Sequence, residues 1–463
     1  MTKILTISGT HSGCGKTSVS LGLMAALTRR GLTVQAFKAG PDFIDPGLHQ
    51  IATGRPAHNI DGWMLGRDMV RDIVARHAAD ADVAIVEGGM GLFDGASGSD
   101  ETGSTAQIAK WLDAPVLLVL DSRSMARSAA AMARGYLDFD PQLAFAGVVC
   151  NRVGSDNHEA LLREALECAG VPVAGCLRRE DAIAMPSRHL GLVTADAMPR
   201  GAVPRLADWV AQAIEPQRLL AAMGDLRLPP PQSAAMPEPS LRSVRIGVAL
   251  DEAFCFYYLE NLRHLIEAGA ELAFFSPLRD TALPEGCDGL YLGGGYPELH
   301  AATLAANEAM RGAVRAFSLS QRPVYAECGG FMYLMDGIEG PKDADGAYHP
   351  MAGVYAMRCR MDARFRALGY REASTTAPSL LGPAWTVLRG HEFHYSHIVA
   401  LDPDATPLYK LRDRRDWLLQ KEGFVRGNTL GSYVHLHFGS NPDAARAFVA
   451  ACATSRDERI HAQ

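Results

Sequence analysis

Lys3-Ile4-Leu5-Thr6-Ile7-Ser8-Gly9-Thr10-His11-Ser12-Gly13-Cys14-Gly15-Lys16-Thr17 runs from an apolar strand-like stretch into a glycine-rich loop, and an apolar-periodic segment from Val19 to Leu27 follows. The loop therefore sits at a strand-to-helix turn, where it reads as a phosphate cradle. Glycines let backbone N–H groups face an anion, and the helix N-terminus adds partial positive charge. The Lys16 ammonium reaches terminal phosphates, and the Thr17 hydroxyl can ligate Mg²⁺. Gly13, Gly15, Lys16 and Thr17 are the candidate nucleotide-binding residues. Five residues separate Gly9 from Gly15, one more than the usual G-x-x-x-x-G-K-[ST] spacing.

Outward from the loop, β-branched apolar runs recur at 34–38, 83–87, 116–120 and 145–150, with helix-periodic stretches between them. This alternation predicts a parallel sheet with helices on both faces and ligands beyond the carboxyl ends of its strands. The residues just past those ends are the candidates. Lys38, Asp42 and Asp45 lie on a Pro/Gly-shaped loop. Lys38 is read toward the nucleotide, Asp42 toward the metal and Asp45 toward the substrate. Glu87 leaves its strand beside the expected phosphates, where a carboxylate holds Mg²⁺ directly or through water. Asp94 is equally a residue of a solvated acidic loop. Asn151 either reads a purine edge, having a donor and an acceptor, or caps its strand.

A proline-rich stretch from Leu226 to Ser240 reads as a semi-rigid linker. The predicted domains are 1–225, a linker at 226–242, and 243–463. Alternation restarts at 244–249, 271–276, 289–292 and 323–326 and becomes less regular from about Met351 to Arg426. Pro323 to Met332 reads as a strand turning sharply at Cys328 into a helix, a nucleophile elbow with sulfur as the nucleophile. The helix N-terminus is expected to lower the thiol pKa. Ser432 to Gly439 holds His435 and His437 at strand spacing, which puts both on one side; His435 is the candidate base. Tyr291 to Glu298 ends a strand with three glycines. Gly294 and Gly295 suit backbone donors aimed at an oxyanion, although an ordinary turn explains them equally. His391 and His394 offer a metal-site alternative that lacks a nearby third ligand. Arg358, Arg360, Arg364 and Arg366 form either an anion-binding group or a solvated face.

At 463 residues the chain is too long for one ordinary core. A net charge of −7 with 48% apolar residues gives no general pull toward nucleic acid or an anionic membrane. Nine cysteines without a C-x-x-C pair point away from a disulfide framework and toward a reducing compartment. The first residues run straight into the loop without a signal-peptide pattern, so the cytoplasm is the expected location.

The extended loop together with Lys38 and Glu87-Gly88 resembles the dethiobiotin-synthetase-like branch of P-loop enzymes, in which ATP activates a carboxyl group for attack by nitrogen. The strings Phe37 to Pro46 and Glu87 to Gly95 closely resemble those of the cobyrinic acid a,c-diamide synthases. The second half resembles a class I glutamine amidotransferase domain, which implies a flavodoxin-like α/β fold. His435-Leu436-His437 replaces the usual His-x-Glu, as it does in the cobyric and cobyrinic amidase branch, and leaves the third triad member open. Arg179-Glu180-Asp181, Arg188 to Gly191, Asp251 to Tyr258 and Gly390 to Ser396 extend the likeness over essentially the whole chain. The resemblance implies ATP and Mg²⁺ as cosubstrate and cofactor, and glutamine and a corrin polycarboxylate as small-molecule substrates. Cobyrinic acid, hydrogenobyrinic acid and nickel sirohydrochlorin all fit; a homodimer is admitted but not specified. A P-loop switch ATPase is the reading from another class. It lacks support here, since the loop opens Gly9-Thr10-His11 without an early lysine and the C-terminal residues are polar.

Overall fold

The computed structural model describes residues 1–180, 183, 201–231, 244–341 and 346–461. Asp181, the Arg188 to Gly191 string and the greater part of the expected linker, 232–242, lie outside the described residues. The chain divides into two compact units, Met1–Gln232 and Ser233–Gln463.

In the first unit, β1 (Lys3–Gly9), α1 (Lys16–Arg29), β2 (Val34–Ala39), α2 (Asp45–Thr53), β3 (His58–Ile60), α3 (Gly62–His77) and β4 (Val83–Glu87) come first. Then follow α4 (Thr105–Trp111), β5 (Val116–Asp121), α5 (Arg127–Phe139), β6 (Phe145–Val153), α6 (Asp156–Cys168) and β7 (Val173–Arg178). α7 (Ala202–Ala213), α8 (Pro216–Ala222) and the short β8 (Gly224–Asp225) close the unit. The strands order as β3-β2-β4-β1-β5-β6-β7, all parallel, with β8 antiparallel beside β1. Strand alternation sends side chains to opposite faces. Leu117 and Val119 pack with α1, α2, α7 and α8, whereas Val116, Leu118 and Leu120 pack with α4, α5 and α6. Both faces are covered, which is why these strands read as continuous apolar runs. Leu226 and Leu228, expected to begin the linker, instead pack beside Ile4 and Phe37, because they are the apolar residues of an otherwise polar stretch.

The second unit opens with β9 (Val244–Ala249), α9 (Leu259–Glu267), β10 (Ala270–Phe275), β11 (Gly289–Leu292), α10 (Ala301–Ala306), α11 (Glu308–Leu319), β12 (Val324–Glu327) and α12 (Gly329–Leu334). An insertion follows: β13 (Met335–Glu339), β14 (Tyr348–Pro350), β15 (Tyr355–Met361), β16 (Ala367–Thr375), β17 (Val387–His394), β18 (Ser396–Ala400), β19 (Thr406–Asp413) and β20 (Leu418–Arg426). β21 (Thr429–Ser432), β22 (His435–Leu436) and α13 (Asp443–His461) complete it. The parallel strands order as β10-β9-β11-β12-β21, so the second strand precedes the first and β21 acts as the fifth. That is the flavodoxin-like order. The stretch that read as irregular, 351–426, is mostly antiparallel strand.

α1 and α7 pack against each other through Gly22. A Cβ there would lie 2.5 Å from Val210 Cγ2 and 2.6 Å from the Leu206 carbonyl oxygen. Gly22→Ala should therefore destabilise by roughly 1–3 kcal/mol, although alanine is the better helix former. Urea unfolding of the full chain checks this; an unchanged or raised midpoint would mean that the two helices can separate without loss.

Candidate functional site

The glycine-rich loop is held from outside by side chains that occupy its carbonyls. Tyr136 donates to Thr10 O (2.6 Å), Lys16 to His11 O (3.1 Å), Arg152 to Gly13 O (2.8 Å) and Asn151 Nδ2 to Cys14 O (2.9 Å). With carbonyls engaged there, the N–H groups are left for an anion. Gly15 caps α1 in the left-handed region at φ 103°, with no side chain capping the helix, so its first N–H groups stay open. A side chain at Gly15 would collide with the Asn151 amide, 2.1 Å away. Asn151 is thus a brace of the loop, and its Oδ1 accepts the Arg152 N–H as well. Neither Tyr136 nor Arg152 carries a motif that marks it in the sequence.

Below the loop lies a buried polar cluster built by strand register. Lys38 of β2 and Ile7 of β1 both lie opposite Glu87 of β4. Glu87 Oε1 accepts from Thr17 Oγ1 (2.7 Å) and Lys38 Nζ (3.0 Å), and Oε2 accepts from His49 Nε2 (2.7 Å). Burial alone would raise the Glu87 pKa, but the Lys38 charge and the His49 and Thr17 hydrogen bonds hold it well below the usual carboxylate range. Burial likewise opposes a charged Lys38, yet Asp45 and Glu87 outweigh it and keep the ammonium protonated. For Lys16, burial wins and its pKa is lowered.

Asp45 was expected at the substrate. It is instead 1% exposed and pairs with Lys38 at 2.6 Å, since a buried ammonium between strands needs a counter-charge. Asp42 Oδ1 accepts the Ile44 and Asp45 N–H groups (2.8 and 3.0 Å), capping the chain's entry into α2. Asp94 similarly closes its own loop, on the Gly91 N–H. Thr17 and Glu87 remain as adjacent hard-oxygen donors at the foot of the loop, a set that suits Mg²⁺. His49 had drawn no notice in the sequence.

In the second unit, Cys328 sits between β12 and α12 at φ 45°, ψ −104°, a strained backbone that exposes little of the residue, 5%. Its N–H donates to Ser432 O (2.7 Å), and the following turn packs so closely that a Cβ on Gly330 would fall 2.2 Å from Leu292 O. The thiol was expected to have a lowered pKa. Burial raises it instead, the Glu298 carboxylate adds to the rise, and the Gly329 N–H opposes without prevailing.

Glu327, immediately before Cys328, accepts the N–H of Leu436 at 3.0 Å, immediately after His435. This bond ties the elbow to the strand of the candidate base. The His435 ring lies against Gly294, where a Cβ would be 2.2 Å from Cε1. His437 does not share that side: it stacks on Tyr258 at 4.6 Å and accepts from Gly439 N, because β22 ends at Leu436. The Gly294 N–H donates to Phe256 O (3.2 Å), so of the two proposed oxyanion donors Gly294 is already engaged. Gly295 lies beside the elbow, its nitrogen 3.0 Å from the Cβ position of Gly329.

No carboxylate follows His435 in sequence, but buried Glu392 influences it and lies in β17, whose His391 pairs with His435. Glu392 bonds His394 Nε2 (2.8 Å) and Arg371 (2.5 Å), while His394 Nδ1 bonds Ser396 O. Both His394 nitrogens are thus engaged without a metal. Arg358 and Arg360 pair with Glu339, and Arg366 pairs with Asp362.

Residues 5–193 match the CobQ/CobB/MinD/ParA nucleotide binding domain, and residues 245–443 match the CobB/CobQ-like glutamine amidotransferase domain. A nucleotide-binding unit joined to a glutamine amidotransferase defines a glutamine-dependent, amide-forming ligase. A cobyrinate a,c-diamide synthase of Syntrophotalea carbinolica is 51% identical over 97% of this chain and 98% of its own length. One from Dehalococcoides mccartyi is 43% identical over 96% and 97%. A hydrogenobyrinate a,c-diamide synthase of Streptomyces coelicolor is 42% identical over 97% and 98%. The chain belongs to the cobyrinate a,c-diamide synthase family.

Burial lowers the pKa of His435 and of His437 from 6.5 to about 3. Between those values the unfolded chain binds two protons that the folded one does not, so acid removes stability. Glu298, Glu327 and Glu422, raised by burial from 4.5 to about 7, act oppositely between those values. From pH 4.5 to 6.5 these three carboxylates outweigh the two histidines, and below 4.5 the histidines act without that opposition. The unfolding free energy of the second unit should therefore fall steeply below about pH 4.5, and His437→Asn should lessen that fall by about 1.4 kcal/mol per pH unit. Chemical denaturation across this range measures both; an unaltered slope in His437→Asn would refute the assignment.

Proposed function

We propose that this enzyme converts the a and c acetate carboxylates of cobyrinic acid to primary amides, with ATP driving each bond and glutamine supplying nitrogen. The observation that carries the reading is the Thr17–Glu87–Lys38 cluster at the foot of an open helix N-terminus, on the same chain as the Cys328 elbow. The relatives' names supply the substrate. The division of labour follows the two units, with ATP-dependent activation in the first and glutamine hydrolysis in the second.

In the second unit Cys328 Sγ attacks the glutamine side-chain carbonyl carbon while His435 takes the thiol proton. The raised thiol and lowered imidazole pKa values favour a neutral pair at rest, so proton transfer accompanies attack. His435 returns the proton to the departing nitrogen, ammonia leaves, and water hydrolyses the thioester to glutamate. The Gly329 and Gly295 N–H groups are the proposed donors to the oxyanion.

In the first unit the loop N–H groups and Lys16 hold the triphosphate. A substrate carboxylate oxygen attacks the γ-phosphorus as the bond to ADP breaks, giving an acyl phosphate. Ammonia attacks its carbonyl carbon, inorganic phosphate departs, and loss of a proton from nitrogen leaves the amide. Mg²⁺ held by Thr17 and Glu87 would neutralise phosphate charge. Two rounds complete each substrate.

The nine cysteines are all free, which favours a reducing compartment and supports the cytoplasm as the proposed site of action. No helix among the described residues is long and apolar enough to cross a membrane. A metal-free substrate is the second reading, favoured by the Streptomyces coelicolor relative.

Purified protein supplied with ATP, Mg²⁺ and each of cobyrinic acid, hydrogenobyrinic acid and nickel sirohydrochlorin, with product masses measured, tests the assignment. Cys328→Ala should lose glutamine-supported amidation and keep the ammonium-supported reaction. Lys16→Ala should lose both by about 100-fold or more, as expected when a donor to developing charge is removed. Intact glutamine use by Cys328→Ala would overturn the nitrogen-donor assignment.

A further inference from the structure

We infer that His49 is a positioning residue for the nucleotide site: it fixes the rotation of the Glu87 carboxylate and so presents Oε1 to the phosphate-bound cation. The inference rests on the reading of Thr17 and Glu87 as the Mg²⁺–ATP site.

Asp45 and His49 stand four residues apart on α2, hence on one face of that helix. From that face Asp45 reaches Lys38 and His49 reaches Glu87, so one helix supplies a partner to each member of the Lys38–Glu87 pair. α2 is anchored by Leu48 and Ala52, which pack into the core with α1. The His49 side chain is fully buried, as is that of Glu87.

The two carboxylate oxygens are treated differently. Oε1 receives Thr17 and Lys38, whereas Oε2 has His49 as its donor. A carboxylate only accepts, so His49 Nε2 carries the hydrogen in this bond. His49 Nδ1 is buried with no hydrogen-bond partner among the described residues. Among the described residues, the ring's hydrogen-bond partner in the polar cluster is Glu87.

Without His49, Oε2 would be a buried acceptor lacking a donor, and the carboxylate would turn both oxygens toward the Lys38 ammonium, already 3.0 Å from Oε1. Oε1 would then point away from Thr17. When the Thr17 hydroxyl and Oε1 turn to a cation, Glu87 gives up the Thr17 bond, and His49 with Lys38 keeps its plane. The expected role is in metal-dependent binding and not in binding of the phosphates themselves, which belongs to the loop and Lys16.

The test titrates ATP binding to the full chain by calorimetry, with Mg²⁺ and with a chelator, in wild type, His49→Leu, His49→Gln and Lys16→Ala. Loss of one hydrogen bond to a charged group predicts that His49→Leu needs about tenfold more Mg²⁺ for half-maximal binding, while chelator-phase affinity stays within about twofold. His49→Gln, whose amide nitrogen overlays Nε2, should recover the Mg²⁺ requirement to within about threefold. Glutamine hydrolysis at Cys328 and the unfolding midpoint report whether each variant is folded. Should His49→Leu not fold, His49→Asn, whose amide nitrogen overlays Nδ1 and falls short of Oε2, carries the same expectation. A wild-type Mg²⁺ requirement in the folded non-donor variant, or equal weakening with and without Mg²⁺, overturns the positioning role; so does failure of His49→Gln to recover. If wild type and Lys16→Ala bind ATP alike, the nucleotide-site reading itself fails, which is a separate result.

Discussion

A buried ammonium organises the first unit. Lys38 is almost wholly removed from water in the middle of a parallel sheet, where an unpaired charge costs several kcal/mol. Strand register sets Glu87 beside it, and α2 delivers Asp45 against it from above. The need to compensate that charge determines where α2 docks. Glu87 in turn accepts from Thr17 in the first turn of α1 and from His49 in the second turn of α2. The result is a preorganised set of oxygens under the loop, whose positions are fixed before any nucleotide arrives.

The second unit meets a different constraint, one of space. Cys328 occupies a strained turn that persists because its surroundings leave no alternative. Ser432 takes its N–H, and the glycines after it press within contact of the glycine turn at 293–295. His435 rests on Gly294 at a distance that any side chain would destroy. Glu327 then fastens the elbow to the strand carrying that histidine. Burial and packing set the chemistry here as much as residue type does. They favour a protonated thiol at Cys328 and a neutral imidazole at His435, in place of the thiolate that a helix N-terminus by itself would favour.

Much of this was legible in the chain alone, for a physical reason. The loop at Gly9 to Thr17, the residues ending β2 and β4, and the elbow at Cys328 are local signals: a few adjacent residues impose a turn and set a functional group at it. The parallel strands were legible because both faces are buried, which makes them uniformly apolar. The inserted antiparallel strands of 351–426 were not, because many of their residues are only partly buried, which leaves neither a continuous apolar run nor a regular alternation. Asp45 misled for a related reason: a carboxylate on a loop reads as available, and only packing shows that Lys38 has claimed it.

Short-range pattern and intrinsic chemistry sufficed to read from the sequence the fold class of each half and the glycine-rich nucleotide loop, and to single out Cys328 and His435 as candidate nucleophile and base. Tertiary structure decided which groups share a site. It alone brought His49 and Asp45 to the Lys38–Glu87 pair, set Tyr136, Asn151 and Arg152 on the loop carbonyls, separated His437 from His435, and raised the thiol pKa. Those outcomes turn on strand register, helix docking and exclusion of water. Each is a property of residues far apart in the chain, and none leaves a mark on the sequence near the residue it governs.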